Sequence, residues 1–254
     1  MSIFKALSEL LFPSSIYCIS CGSLIDGSRP YALCDSCMRS FHWTNGRVCA
    51  KCGKALQEEY HHDLCLDCRE AVRFFTRGFS CVQYGIHERE LLLKFKYSGK
   101  TYIGEKLARI MADRLETENL GAELVIPVPM HSKKKRKRGY NQAEIIASEL
   151  AKKLCVPYSG SLLKRSGNTA AMSRLAAEER RMNIEGAFVV SAYAAEVIAG
   201  KRVLLVDDIY TTGSTASECS RVLLSAGARE VFVITFASGA NLLKWDKAAA
   251  QVCG

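Results

Sequence analysis

No apolar run in this chain approaches the roughly 20 residues that a membrane-crossing helix needs, which argues against a transmembrane helix. Low-complexity tracts are missing too, so the composition is that of a globular protein. A signal peptide is also disfavoured. Met1 to Phe12 sets Phe4, Leu7, Leu10 and Leu11 on one helical face, but Glu9 interrupts the apolar core that such a peptide requires. The expectation is a short amphipathic helix docked on the body of a cytoplasmic protein.

What is present is unevenly spread. The 254 residues suffice for one sizeable core with a small appendage. Residues 1–75 balance eight Lys/Arg against eight Asp/Glu, so the whole net charge of +9 falls in residues 76–254, with 27 basic and 18 acidic residues. An anionic partner should meet that second part first.

Twelve cysteines are many for a cytoplasmic chain, and eight of them are strictly arranged. Cys18, Cys21, Cys34 and Cys37 reappear 31 positions later as Cys49, Cys52, Cys65 and Cys68. Gly22 and Gly53 each follow the second cysteine of a set, and Leu33 and Leu64 each precede the third, which marks an internal duplication. Paired Cys-x-x-Cys knuckles deliver four thiolates to one tetrahedral ion. A segment this small and polar buries little core, so metal ligation would supply its folding energy. A disulfide scaffold needs an oxidising compartment that nothing here indicates, and a redox Cys-x-x-Cys would not need four pairs. The reading is two structural Zn²⁺ ions. The duplication favours self-contained sites, while a cross-braced arrangement taking one pair from each repeat stays open. His42, His61 and His62 are not needed as ligands. Four thiolates on a divalent ion leave a negative site, a poor sign for this segment as the main nucleic-acid grip. Of the other cysteines, Cys155 and Cys219 read as small buried hydrophobes, Cys81 lies in a strand pattern and Cys253 near the end of the chain.

After Arg73 the pattern changes to alternating strands and helices. Strands are expected at Phe79 to Tyr84, Leu124 to Val128, Leu162–Leu163, Phe188–Val190, Val203 to Val206 and Val231 to Phe236. Helices are expected at Glu88 to Phe95, Tyr102 to Leu115, Asn141 to Leu154 and from Ser214 onward. Such alternation argues for an α/β fold, an open parallel sheet with helices on both faces. The domain division that follows is 1–75 and 76–254.

Two stretches carry the chemistry. In the first, Val203 to Val206 is a buried-strand pattern leading into Asp207 and Asp208, then Thr211, Thr212, Gly213, Ser214 and Thr215 at a helix start. Hydroxyls, a glycine and unpaired N–H groups at a helix N-terminus hold a phosphate. Carboxylates at a strand's carboxyl end can accept hydrogen bonds from vicinal sugar hydroxyls, where ligands of open α/β sheets sit. An ordinary capped helix would explain the threonines alone, but not the whole unit. That unit resembles the phosphoribosyl-pyrophosphate signature of type I phosphoribosyltransferases.

The second stretch runs from Pro127-Val-Pro129 through His131 into Lys133, Lys134, Lys135, Arg136, Lys137 and Arg138, then Gly139-Tyr-Asn-Gln142. It reads as a proline-stiffened loop entering a helix, with Arg138 the candidate for a diphosphate and the five residues before it available to nucleic-acid phosphates. No aromatic stacking platform is interleaved with them.

The Cys-x-x-Cys ribbons, Leu93-Lys-Phe-Lys-Tyr-Ser-Gly99, Pro127-Val-Pro with Arg138-Gly-Tyr-Asn-Gln142, Arg180-x-x-Asn183-x-x-Gly-Ala-Phe188 and the Asp207–Thr215 signature occur in that order. As a set they resemble the ComF family, double-zinc-ribbon phosphoribosyltransferase-like proteins tied to natural competence. The resemblance implies a type I phosphoribosyltransferase fold that binds phosphoribosyl pyrophosphate with Mg²⁺. Thr211 to Thr215 would take the 5-phosphate, Asp207 and Asp208 the ribose hydroxyls, and the loop from His131 to Arg138 the diphosphate. It implies either an accessory protein handling single-stranded DNA among DNA-uptake proteins, or an enzyme transferring phosphoribosyl to a nitrogen acceptor. No catalytic residue and no reader of a base stands out; Lys94 and Lys96 are candidates only for the hood, and oligomeric state is not legible. One departure is Met172, where the family usually has Gln, in the loop around Gly167 to Arg174.

Overall fold

The computed structural model describes residues 16–166, 184 and 186–240. The expected helix at Met1 to Phe12, Met172 with its loop, the Arg180–Asn183 motif and Cys253 lie outside the described residues. In chain order the elements are α1 (Asp35–Ser40), α2 (Leu66–Glu70), β1 (Arg77–Gln83), α3 (Ile86–Tyr97), α4 (Ile103–Leu115), β2 (Leu124–Pro127), α5 (Ser132–Arg138), α6 (Gln142–Leu154), β3 (Leu163–Arg165), β4 (Phe188–Val190), α7 (Ala192–Ile198), β5 (Arg202–Tyr210), α8 (Ser214–Ser225) and β6 (Glu230–Ser238).

Four strands form one sheet in the order β1-β6-β5-β2, every pair parallel. Runs such as Val203–Val206 and Val231–Phe236 sit in it because both of its faces are covered, so each residue in the run finds apolar neighbours whichever way it points. On one face Leu91, Leu92 and Phe95 of α3, Leu107 and Met111 of α4, and Ile146 and Leu150 of α6 pack on Val125, Leu204, Val206 and Ile234. On the other, Ala194 and Ile198 of α7 and Cys219 and Leu223 of α8 pack on Ile126, Val203, Leu205, Val231 and Val233.

Three local expectations change. The short strands at 163–165 and 188–190 do not join the parallel sheet; they pair with each other, antiparallel, from Leu163↔Val190 to Arg165↔Phe188. The basic run is not a loop: it forms α5, started by His131, whose side chain accepts the Lys133 N–H, and stopped by Gly139 at φ 87°. Cys155 is not buried. It ends α6 in a left-handed turn at φ 53° and is exposed, whereas Cys81 and Cys219 are buried.

The cysteine tetrads close on themselves. The sulfurs of Cys18, Cys21, Cys34 and Cys37 lie within 4.8 Å of one another, as do those of Cys49, Cys52, Cys65 and Cys68, so the cross-braced alternative falls. The two knuckles repeat the same bonds: Gly22 N donates to Cys18 O and Gly53 N to Cys49 O, both at 2.9 Å. Gly22 and Gly53 have φ of 84° and 73°, a turn that disfavours any side chain. Four sulfurs and nothing else in each group is the donor set of a structural zinc site.

These modules straddle β1, which is an edge strand of the sheet. The first continues the core under α3 and α4 through Ile19, Leu33 and Phe41. Lys94 donates to Ser20 O, and buried Glu88 accepts the His42 N–H at 2.7 Å. The second continues the opposite core through Leu56, Tyr60 and Phe75. Between them the chain follows the edge, where Thr44 N donates to Cys81 O and Gln83 N to His42 O, and the second knuckle adds Lys51 O as acceptor of the Gly78 N–H. An edge strand's unpaired groups are thereby satisfied. The β2 edge is occupied likewise by Pro157 O and the Ser159 N–H, both bonded to Val125.

Candidate functional site

Strand β5 passes through the interior of the sheet and continues four residues beyond Val206, to Tyr210, so Asp207 and Asp208 lie within it, close to its end. Successive side chains of a strand point to opposite faces. Asp208 therefore turns toward α3, where its Oδ2 meets Lys96 Nζ at 2.6 Å, while Asp207 lines a cavity with Ser214, Thr215 and Ala216 at the start of α8. Asp207 also takes the Asp208 N–H at 2.9 Å. Burial, and then the neighbouring Asp208 charge, hold the Asp207 carboxyl well above the usual carboxylate range. Burial works against the Lys96 cation, but the Asp208 and Asp207 charges outweigh it and leave the ammonium harder to deprotonate than usual.

After Tyr210 the chain turns through Thr211, Thr212 and Gly213 into α8. Gly213 is the N-cap residue at φ 77° and supplies no side-chain cap, whereas Asn141 and Ser191 cap α6 and α7. The first N–H groups of a twelve-residue helix are thus left without a cap at the positive end of its dipole. Thr212 Oγ1 and Ser214 Oγ are bonded at 3.0 Å, and Thr211, Ser214 and Thr215 line a cavity of about 40 Å³ with Asp207 and Tyr210. A cavity of polar hydroxyls and free amides at a helix start is suited to a tetrahedral oxyanion.

The cationic side is built from β2 and α3. β2 lies next to β5, and beyond it Val128 N donates to Val206 O at 2.8 Å while Val128 O accepts Asn141 Nδ2 at 3.1 Å. This pins both ends of the segment that carries α5 beside the carboxylates. Arg138 bonds Gln142, stacks over the Tyr97 ring at 5.1 Å and lies near enough to Lys96 for their charges to oppose. Lys133, Lys134, Arg136 and Lys137 are exposed on α5, and Lys135 pairs with Glu144 at 2.7 Å.

The structure thus gathers Asp207, Asp208, Thr211, Thr212, Gly213, Ser214 and Thr215 around one strand end, and Arg138 comes near Lys96, the partner of Asp208. Lys96 is the residue that sequence reasoning undervalued: its partner lies far along the chain, and only its place one step past the buried Phe95 on α3 hinted at an inward reach. Tyr210 was also missed, because it reads as one more strand residue.

The chain matches the double zinc ribbon domain family over residues 7–69 and the phosphoribosyl transferase domain family over residues 103–253. It is 31% identical over 206 residues to competence protein F of Haemophilus influenzae, covering 79% of this chain and 88% of that one. It is 26% identical to DNA utilization protein YhgH of Escherichia coli K12, over 80% of this chain and 88% of that one. With competence protein ComFC of Bacillus subtilis it shares 26% identity over 77% of this chain and 79% of that one. Among the described residues no helix is long and apolar enough to cross a membrane.

Proposed function

The chain belongs to the phosphoribosyltransferase family, in the double-zinc-ribbon group of the competence protein F and ComFC type, and from that premise we propose that it binds phosphoribosyl pyrophosphate and serves DNA uptake. The observation that carries this reading is the uncapped start of α8 directly after two strand-borne carboxylates. The α8 amides with the hydroxyls of Thr211, Thr212, Ser214 and Thr215 receive the 5-phosphate. Asp207 and Asp208 receive the ribose hydroxyls, and Lys96 and Arg138 face the diphosphate. The oxygen donors of Asp207 and Asp208 beside a ligand diphosphate suit Mg²⁺, a hard ion held by one or two carboxylates together with phosphate oxygens; when bound, it would neutralise diphosphate charge.

The five residues from Lys133 to Lys137 are exposed on α5 and would offer a sequence-independent grip on single-stranded DNA, which supports an accessory role. A second reading is supported by the pairing of carboxylates with Lys96 and Arg138. Displacement at the sugar's C1 by a nitrogen nucleophile gathers positive charge on the ring, which Asp207 and Asp208 offset, and negative charge on departing pyrophosphate, which the two cations offset.

Calorimetry with phosphoribosyl pyrophosphate and Mg²⁺ tests the shared premise: binding is expected, weakened about tenfold or more in Asp208→Asn, an order set by losing hydrogen bonds to a charged group. No heat from the intact protein would sink it. Pyrophosphate release with a panel of bases then separates the two readings. Salt-dependent single-strand binding, lost when Lys133, Lys134, Lys135 and Lys137 become Gln and unaccompanied by turnover, favours the accessory role.

A further inference from the structure

The phosphate turn does not stand alone on β5; its underside rests on the second zinc module. Tyr210, 3% exposed, lies beneath the turn so closely that a Cβ on Gly213 would come within 2.0 Å of its hydroxyl oxygen. That hydroxyl has no hydrogen-bond partner among the described residues, so the ring is held by its neighbours' packing and by the Lys54 cation rather than by a hydrogen bond. Phe75 meets it edge-on at 6.2 Å, and Lys54 Nζ stands 5.6 Å from its centroid. The backbone oxygen of Tyr210 is fixed by Gly239 N at 2.8 Å, where Gly239 also sits between Lys54 and Thr211.

Lys54 is itself a product of the metal knuckle. It follows Gly53, its carbonyl accepts the Cys49 N–H at 2.8 Å, and its buried ammonium pairs at 2.5 Å with Asp67, which lies between Cys65 and Cys68. Arg73 braces the same turn by donating to Asp67 O at 2.8 Å, and the next residue, Phe74, donates its N–H to Ser217 Oγ in the first turn of α8 at 3.2 Å. The module thus reaches the phosphate turn by two routes, Lys54–Tyr210 from below and Arg73–Phe74 from the side. Among the described residues, the hydrogen bonds that the first module makes to the rest of the chain run to α3 and to β1.

We propose that Lys54 and Tyr210 are positioning residues that transmit the order of the second cysteine tetrad to the phosphate turn, so that zinc at that tetrad and a 5-phosphate at α8 strengthen each other's binding. The proposal rests on the turn being the phosphate site. Coupling between two ligands is reciprocal, which gives a readout separate from activity. Ribose 5-phosphate, which carries no diphosphate, serves as the probe.

The full chain is equilibrated with zinc against a chromophoric chelator, with and without saturating ribose 5-phosphate, in the wild type and in Lys54→Met. The Cys21→Ser variant, which weakens the first site, identifies which ion responds. The expected result is a zinc affinity at the second tetrad raised about tenfold by the sugar phosphate, within the usual range of coupling. The first tetrad should not respond, and Lys54→Met should lose most of the effect while still binding two ions. Should Cys21→Ser fail to fold, hydrogen exchange of the Thr211–Thr215 amides in the wild type provides the second measurement. Those amides should slow as zinc fills the second tetrad and not as it fills the first; amides that exchange at the same rate with and without zinc overturn the coupling. Wild-type protein that binds ribose 5-phosphate without altering either zinc affinity overturns this inference and leaves the phosphate site intact. Protein that binds no ribose 5-phosphate overturns both.

Discussion

Asp207 holds its proton more tightly in the folded chain than it would in the unfolded one, because burial and the Asp208 charge both disfavour its ionised form. Where a folded group retains a proton that the unfolded chain has released, stability falls as pH rises. The window opens at the ordinary carboxylate value of 3.8 and closes at the raised one. Asp207→Asn, which is neutral throughout, should therefore remove this decline and raise the thermal midpoint of the ligand-free protein at neutral pH. Thermal melts of both proteins across that range check it; parallel curves would show that Asp207 is not the titrating group. The place of this residue near a strand end was legible because Asp-Asp before a Thr-Gly turn is a local pattern. That of Lys96 was not, since an ion pair between α3 and β5 leaves no trace in the spacing of either segment.

The start of α8 is a matter of element geometry. A residue with a side chain at Gly213 would be strained at φ 77° and would also collide with Tyr210. Gly213→Ala should cost about 2 kcal/mol or more in urea denaturation, strain alone accounting for 1–3 kcal/mol, and should abolish binding of ribose 5-phosphate. Gly22→Ala provides the comparison: its turn is as left-handed at φ 84°, but an added Cβ meets nothing within 4 Å. It should lose only about 1–2 kcal/mol, the strain of a left-handed backbone, and leave binding unchanged. Equal losses at the two positions would mean that the Tyr210 contact is immaterial. At this scale the sequence was informative about helices and parallel strands, whose apolar periods are local. It misled at α5, where six adjacent cations suggest a loop. There a His131 cap, the Lys135–Glu144 pair and cations at the favourable end of the helix dipole make a short helix tolerable. It also misled at β3 and β4, whose short patterns do not tell which neighbour they will pair with.

For the whole molecule, the duplication in the sequence announced two metal modules, while nothing in it could tell that they would settle on opposite faces of one strand. That arrangement depends on contacts between segments distant in the chain, and those have no periodic signature. Because the chain between the modules satisfies the outer edge of β1, stripping the metals should free that edge and cause strand-to-strand association. Light scattering should rise after chelation while the far-ultraviolet circular dichroism of the α/β body persists. A chelated protein whose scattering does not rise would refute this. The arrangement also bears on how the chain is made. Both modules leave the ribosome before β1, whereas the inner neighbour of β1, strand β6, is translated far later. Through that interval a nascent β1 would otherwise present two bare sides to other chains. Zinc-loaded modules already in place would cover one of them before its inner partner is made.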